Sequence, residues 1–319
     1  MALACVFGGV LISLTDATGR SLDHLTPEGV RTVIKEDASY SAITGDGASP
    51  LQVYAITASG GIEVWGFEKE WGSGNWSSAT VVDIGTFTTL THDGVRPDIV
   101  FGAQSDGGIV QFEWANHVWN ANVVDESPRV YWSLTFDSAH PNRIYAASEE
   151  GVYEFTYTDK WIGRLLSPKI YKQLAANGTA EGLKLFGLDE DGHIDQIYFS
   201  GTWQTAAVDA QNTYTTITGD AVDSNKVYGA LAGGGIKQIS YAGSWEVNNV
   251  VSGKVYSALA SYGSKADAIF AQTGASLQSL AGENQWVPKE LSTGQSYWLI
   301  VPGATTASEF FGLVDSKEL

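Results

Sequence analysis

One phrase recurs along this chain about every 43 residues. It reads aromatic-x-x-aliphatic, a gap, a short apolar run, a Gly-rich turn, a second apolar run, a tryptophan and a valine-rich run. It begins at Tyr40, Phe87, Tyr131, Tyr171, Tyr214, Tyr256 and Tyr297, with spacings of 47, 44, 40, 43, 42 and 41 residues. A unit of this length cannot bury its apolar faces alone and must stack on its neighbours, so such a period marks a solenoid, propeller or array. Length alone would allow two domains. The repeat makes residues 1–319 a single domain with one continuous core.

Each unit resolves into four short strands. In the unit from Phe87 they are Phe87–Thr91, Asp98–Gly102, Gly108–Glu113 and Trp119–Val124. In the unit from Tyr214 they are Tyr214–Thr218, Lys226–Ala230, Gly235–Tyr241 and Trp245–Val251. The runs are rich in β-branched and aromatic residues and bounded by Gly, Asp, Asn or Pro. Ser105-Asp106-Gly107-Gly108 is a tight-turn signal, and no window carries a helical period at helical length. This predicts an all-β, seven-bladed propeller of four-stranded antiparallel blades, in preference to six or eight blades. The unit from Tyr297 holds only two strands, Tyr297–Val301 and Glu309–Val314. Arg20–Leu25 resembles a third strand and Val30–Lys35 a fourth, so the last blade is expected to be closed by both chain ends. Ala2–Gly8 and Leu11–Asp16 also resemble first and second strands, and either compete with the C-terminal pair or lie outside the ring. Residues 1–14 are apolar but lack a basic leader and are too few to span a bilayer, so they read as a buried strand segment.

Composition narrows the partners. The net charge is −18, which argues against nucleic acid or an anionic membrane, because phosphate binding needs a basic footprint. Cys5 is the only cysteine, so no disulfide can form within the chain. That suits a reduced compartment without requiring it, and cytoplasmic is favoured over secreted. The sequons at Asn75 and Asn177 would matter only after secretion.

Most catalytic constellations are missing. The five histidines fall in different units, without metal spacing, and there is no nucleophile elbow or P-loop. Gly233-Gly234-Gly235 reads as a hairpin turn. Asp189-Glu190-Asp191-Gly192 also reads as a turn, because it lacks the later ligands of a calcium loop. No cofactor and no metal are expected. The axis positions are more informative. The residue after each leading aromatic should sit near one mouth of the central channel. Around the ring these are Ser41, Thr88, Trp132, Lys172, Thr215, Ser257 and Trp298. Two tryptophans and a lysine interrupt a ring of small hydroxyl residues. The indoles could simply plug the channel. They could equally wall a pocket for an apolar or aromatic small molecule, with Lys172 as the polar, catalytic group and the other six as binding residues.

The unit from Tyr131 carries Arg143-Ile144-Tyr145, then Gly151-Val152-Tyr153-Glu154, then Trp161. This phrase resembles the fungal fucose-specific lectin family of β-propellers. In that family an Arg opening the second strand, a Glu or Gln on the third and nearby aromatics hold a sugar between blades. The resemblance implies one surviving sugar site at Arg143, Glu154 and Trp161, for which a structural cross-strand ion pair is the plainer reading. In the other units the corresponding positions read Gln52, Asp98, Leu183, Lys226 and Asp267. Gln111, Gln196 and Gln238 keep the third-strand polar position. Trp119, Trp161, Trp203, Trp245 and Trp286 open the fourth strands and read as blade packing. Lectin-like propellers have also been recruited in fungal secondary metabolism as cofactor-free cyclases of the hetero-Diels–Alderase type. Two functions therefore stay open, beside a third reading as a propeller scaffold that binds protein through its rim. One is a cyclase acting on a terpenoid- or polyketide-like substrate at the axis. The other is a lectin binding a fucose-type glycan.

Overall fold

The computed structural model describes residues 21–26, 28–49, 51–67, 75–179, 182–261, 265–282, 286–293, 296–302 and 310–315. The N-terminal segments 2–8 and 11–16 lie outside the described residues. The described strands form seven four-stranded antiparallel sheets, and none of the described residues is helical.

In chain order, β1 (Leu22–Leu25) and β2 (Arg31–Lys35) come first. Blade 1 is β3 (Ala42–Gly45), β4 (Gln52–Ile56), β5 (Ile62–Phe67) and β6 (Trp76–Val82). Blade 2 is β7 (Phe87–His92), β8 (Ile99–Gln104), β9 (Ile109–Ala115) and β10 (Val118–Asp125). Blade 3 is β11 (Tyr131–Phe136), β12 (Arg143–Ser148), β13 (Gly151–Tyr157) and β14 (Trp161–Ser167). Blade 4 is β15 (Gln173–Thr179), β16 (Gly182–Leu188), β17 (Ile194–Ser200) and β18 (Thr202–Asp209). Blade 5 is β19 (Tyr214–Gly219), β20 (Lys226–Leu231), β21 (Ile236–Tyr241) and β22 (Trp245–Val251). Blade 6 is β23 (Ala258–Ser261), β24 (Ala268–Thr273), β25 (Ser276–Ala281) and β26 (Val287–Thr293). Blade 7 combines β27 (Ser296–Pro302) and β28 (Phe310–Asp315) with the two N-terminal strands, in the order β2-β1-β28-β27. The last blade is thus closed by both chain ends, as the truncated final unit implied.

The inner strands β27, β3, β7, β11, β15, β19 and β23 touch in sequence and close on themselves, forming the wall of a central channel. Two side-chain rules recur, one within a blade and one between blades. In four blades the leading aromatic lies over a glycine of its own second strand. A Cβ at Gly102, Gly187, Gly229 or Gly312 would come within 2.5 Å of the ring of Phe87, Tyr171, Tyr214 or Tyr297. Ala146 stands in register with Gly102, so the limit is tight rather than absolute. The fourth-strand tryptophan meets an aromatic from the second strand of the preceding blade, edge to face. Ring centroids are 6.0 Å apart for Tyr54–Trp119, 5.6 Å for Phe101–Trp161, 5.9 Å for Phe186–Trp245 and 5.7 Å for both Tyr228–Trp286 and Phe311–Trp76. Each such pair adds about 0.5–1.5 kcal/mol beyond the area it buries.

A buried aspartate after the inner strand supplies the polar counterpart. Asp46, Asp93 and Asp220 each use Oδ1 to accept two backbone N–H groups of the following loop. Their Oδ2 accepts a backbone N–H of the next blade, from Asp98 (2.8 Å), Asn142 (2.8 Å) and Asp267 (2.9 Å). These three donors have φ of 59°, 58° and 52°, the left-handed region that Asn and Asp tolerate best. That geometry explains a boundary difference. Asp98 was expected to open the second strand of blade 2, but its N–H is turned towards Asp46 and the strand starts at Ile99.

Asp220→Ala should lower stability by about 2–4 kcal/mol, because it strands the Tyr228 hydroxyl and the Val222, Asp223 and Asp267 N–H groups. Chemical denaturation measures this directly. Deleting residues 297–319 should abolish soluble expression, since β27 and β28 form the axis side of blade 7. A truncated chain that melts cooperatively at the parental temperature would contradict that expectation.

Candidate functional site at the propeller axis

The seven inner strands enclose an axial cavity of about 910 Å³. Ser41, Thr88, Trp132, Lys172, Thr215, Ser257 and Trp298 all line it. The backbone explains why. Pairing of β7, β11, β19 and β27 with their second strands skips one residue, between Phe87 and Thr89, Tyr131 and Ser133, Tyr214 and Thr216, and Tyr297 and Leu299. The skipped residues are Thr88, Trp132, Thr215 and Trp298. A bulge frees a side chain from the ladder and re-aims it, here towards the channel.

The hydroxyls and the indoles then behave differently. Thr88 and Thr215 fold back on their own blades, donating to Ala103 O (3.4 Å) and Ala230 O (3.3 Å). Trp132 reaches the next blade, where Nε1 donates to Tyr171 O at 2.8 Å and the half-buried ring packs near Tyr145 and Tyr171. Trp298 is half-buried beside Tyr40 and Ile43. Their inner strands are separated by two strands one way round the ring and three the other, so the indoles flank the cavity from opposite sides.

Among the described residues, three ionisable side chains other than tyrosine border this space: Lys172, His92 and Asp220. Asp220 is consumed by its loop and the next blade. His92 is buried, its Nδ1 lies 3.0 Å from Thr44 Oγ1, and its ring centroid is 4.0 Å from that of Phe136. Burial pushes its pKa down to about 4, so it is neutral at pH 7. Lys172 makes no ion pair among the described residues, which leaves an uncompensated cation on the blade next to Trp132. Ser133 and Gln173, also at the wall, are engaged between blades. Ser133 Oγ accepts from Leu174 N (3.0 Å) and Gln173 Oε1 from Ile217 N (3.0 Å). His92 and Gln173 escaped sequence reasoning. Their only signal was a polar residue at an inner-strand position that is apolar or small in other units.

At the blade interface, Arg143 Nε lies 3.9 Å from Glu154 Oε1 and Nη1 3.5 Å from Asp137 Oδ2. Trp161 packs edge-on against Phe101 of the preceding blade and tilts against Tyr157. Tyr145 pairs with Glu154 as Phe101 does with Gln111, Phe186 with Gln196 and Tyr228 with Gln238, so the third-strand polar position is one register place. The same register corrects the second-strand alignment. The counterparts of Arg143 are Ile99, Lys184 and Ala268, not Asp98, Leu183 and Asp267. Asp98 and Asp267 have positive φ, precede their strands and belong to the aspartate link, whereas Leu183 lies one place early within β16. A cation therefore stands at this place in three blades. Lys226 is tied to Asp267 of the next blade at 2.8 Å, and Lys184 contacts Asn225 of the next blade. The contacts of Arg143 stay within its own blade. The sequon residue Asn177 is buried, with its amide on Lys226 O. Asp189–Gly192 and Gly233–Gly235 are hairpin turns.

No protein-family model matches this chain, and no curated protein matches it. Solved structures do. YCF48 bound to D1 peptide aligns with TM-score 0.58 and 11% identity over 95% of this chain and 99% of that chain. YCF48 from Cyanidioschyzon merolae gives 0.57 and 10% over 92% and 98%. The β-propeller domain of Myceliophteria thermophila Cps50 (Swd1) gives 0.59 and 10% over 88% and 97%. The chain is a seven-bladed β-propeller. Identities this low establish the fold alone.

The buried histidines predict acid sensitivity. Burial lowers the pKa of both His24 and His92 below 6.5 in the folded state, so the unfolded chain binds their protons first. Their contribution is complete above pH 6.5 and is lost as the pH falls below it, towards about 4 in the case of His92. For His92 the loss is on the order of 3 kcal/mol. Urea denaturation of His92→Leu between pH 7 and 4 should show a shallower loss than the parent.

Proposed function

We propose that this propeller works through its axial cavity, holding an apolar or aromatic small molecule and closing a ring in it without a cofactor. The observation that carries this reading is the break in the repeat at the mouth. Trp132, Trp298 and an unpaired Lys172 stand where the other blades have Ser or Thr. Two fixed indole faces across a cavity of about 910 Å³ suit a flat, terpenoid- or polyketide-like ligand. The chemistry that fits is a cycloaddition of the hetero-Diels–Alder type, between a conjugated carbonyl heterodiene and an alkene. Three π bonds break while two σ bonds and one new π bond form. No atom leaves, so no base or redox partner is needed. Holding both partners in register removes part of the entropic barrier. The Lys172 ammonium, donating to the carbonyl oxygen as negative charge grows there, lowers the barrier further. Ser41, Thr88, Thr215 and Ser257 complete the polar rim.

One observation favours a second reading, a fucose-type lectin. Lys226 and Lys184 are spent on the next blade, whereas Arg143 keeps its contacts within its own blade and is one-third exposed beside Glu154. The half-buried Trp161 would be its aromatic wall.

Tryptophan fluorescence titrations with terpenoid and polyketide-like probes, followed by turnover assays, test the first reading. Trp132→Ala and Trp298→Ala should abolish binding or turnover while the fold survives. Each indole is only half-buried, so each change should cost less than the 3–5 kcal/mol typical of a core indole. Lys172→Met should reduce rate more than affinity, because its donation strengthens with charge on the oxygen. Arg143→Ala should change neither. Retention on fucose–agarose that disappears with Arg143→Ala and survives both tryptophan changes would transfer the function to the blade interface.

A further inference from the structure

The leading tyrosines show a second break in the repeat, away from the axis. In five blades the tyrosine hydroxyl donates to a carboxylate. Tyr131 meets Asp125 (2.6 Å), Tyr171 meets Asp195 (2.7 Å), Tyr214 meets Asp209 (2.6 Å), Tyr297 meets Asp23 (2.9 Å) and Tyr40 meets Glu63 (2.6 Å). In four of them the chain supplies that carboxylate with another donor. Arg129 lies 3.3 Å from Asp125, Lys169 lies 2.6 Å from Asp195 and Arg31 lies 2.6 Å from Asp23. Asn212 donates its amide to Asp209 at 2.7 Å. Arg129, Lys169 and Asn212 all sit two residues before their tyrosine.

In blade 1 that place is Ala38, only 1% exposed, and Glu63 has no cation within ion-pair distance among the described residues. In place of the missing side chain there is a pocket of about 240 Å³ bordered by Asp37, Ala38, Tyr40, Glu63 and Trp65. Trp65 Nε1 donates to the Tyr40 hydroxyl at 2.8 Å, which holds the indole against the pocket while Tyr40 donates to Glu63 Oε2. Glu63 Oε1 has no protein donor among the described residues. Lys35 stands at the exposed rim and makes no ion pair there.

We propose that this pocket binds an alkylammonium or alkylguanidinium group from outside the chain, in the position that Lys169 and Arg129 occupy in their own blades. The carboxylate supplies a charge-assisted acceptor. The Trp65 face supplies a cation–π wall for the head and alkyl stem. The pocket is separate from the axial cavity, and its occupancy does not depend on the axial reading.

Isothermal titration of the full chain with n-butylammonium, n-butylguanidinium and, as a control, n-butyrate tests this. Saturable binding of the two cations, weakened by added salt, and none of butyrate is expected. Glu63→Gln should weaken the cations at least tenfold. Ala38→Lys should abolish binding by placing a tethered ammonium in the slot. Trp132→Ala, on the far side of the ring, should leave binding intact. An N-acetyl-lysine methylamide arm distinguishes sources. Affinity equal to n-butylammonium indicates that the ammonium alone is read, and tighter binding indicates a lysine side chain of a polypeptide. The proposal is overturned if no cation binds the parent, or if binding survives both Glu63→Gln and a folded Ala38→Lys. It is also overturned if binding appears only in Lys35→Met, which would make Lys35 the slot's own cation.

Discussion

The ring depends on β1 finding β28. Each blade of a propeller is covered only by its two neighbours, so a gap anywhere leaves two apolar faces open. Here the gap is closed by four antiparallel pairings, Leu22 with Leu313 through Leu25 with Phe310. Leu22, Phe311 and Leu313 pack towards blade 1, while Leu25 and Phe310 pack towards blade 6. The hydroxyl of Tyr297 reaches Asp23 across 274 residues of chain. Closing so long a loop costs entropy that grows only slowly with length, and burial of Leu22 and Leu25 on the two faces of β1, with the Asp23 hydrogen bonds, offsets it.

Once the ring is closed, a few parts recur. An aromatic lies over a glycine within its own blade, an indole meets a ring edge of the preceding blade at five interfaces, and a carboxylate hands its second oxygen to the next blade at three. These parts use up nearly all the polar and aromatic groups that the repeat supplies. What remains for function is where the repeat departs from itself. At the axis that is Trp132, Trp298 and Lys172, which stand on bulges or at a strand start. In blade 1 it is Glu63, whose customary donor has become Ala38. Both places are therefore recognised as departures from the unit and not as motifs in their own right.

The same logic explains the legibility of the sequence. Strand type and blade count were readable because alternation and turn chemistry are local. The Ser105–Gly108 turn is one case, with both glycines at positive φ. The axis positions were readable too, since one offset from a conserved-looking phrase fixes a place on a symmetric ring. The register of the second strands was not. Asp98 and Asp267 look like strand residues until one sees that each donates its N–H backwards to an aspartate about fifty residues earlier. The polar groups His92 and Gln173 stayed hidden for a related reason, because their partners Thr44 and Ile217 lie in other blades.

The sequence by itself determined the architecture: a repeat of about 43 residues, a short final unit and strand-like N-terminal runs left a closed seven-bladed ring as the consistent reading. Only the tertiary structure decided which side chains are free. Whether Glu63 has a cation beside it depends on packing within its own blade and the segment leading into it. Whether Lys172 is paired and whether Arg143 is spent on a neighbour depend on contacts between blades. Those contacts join residues some forty positions apart, a distance at which a single sequence records identity but not proximity.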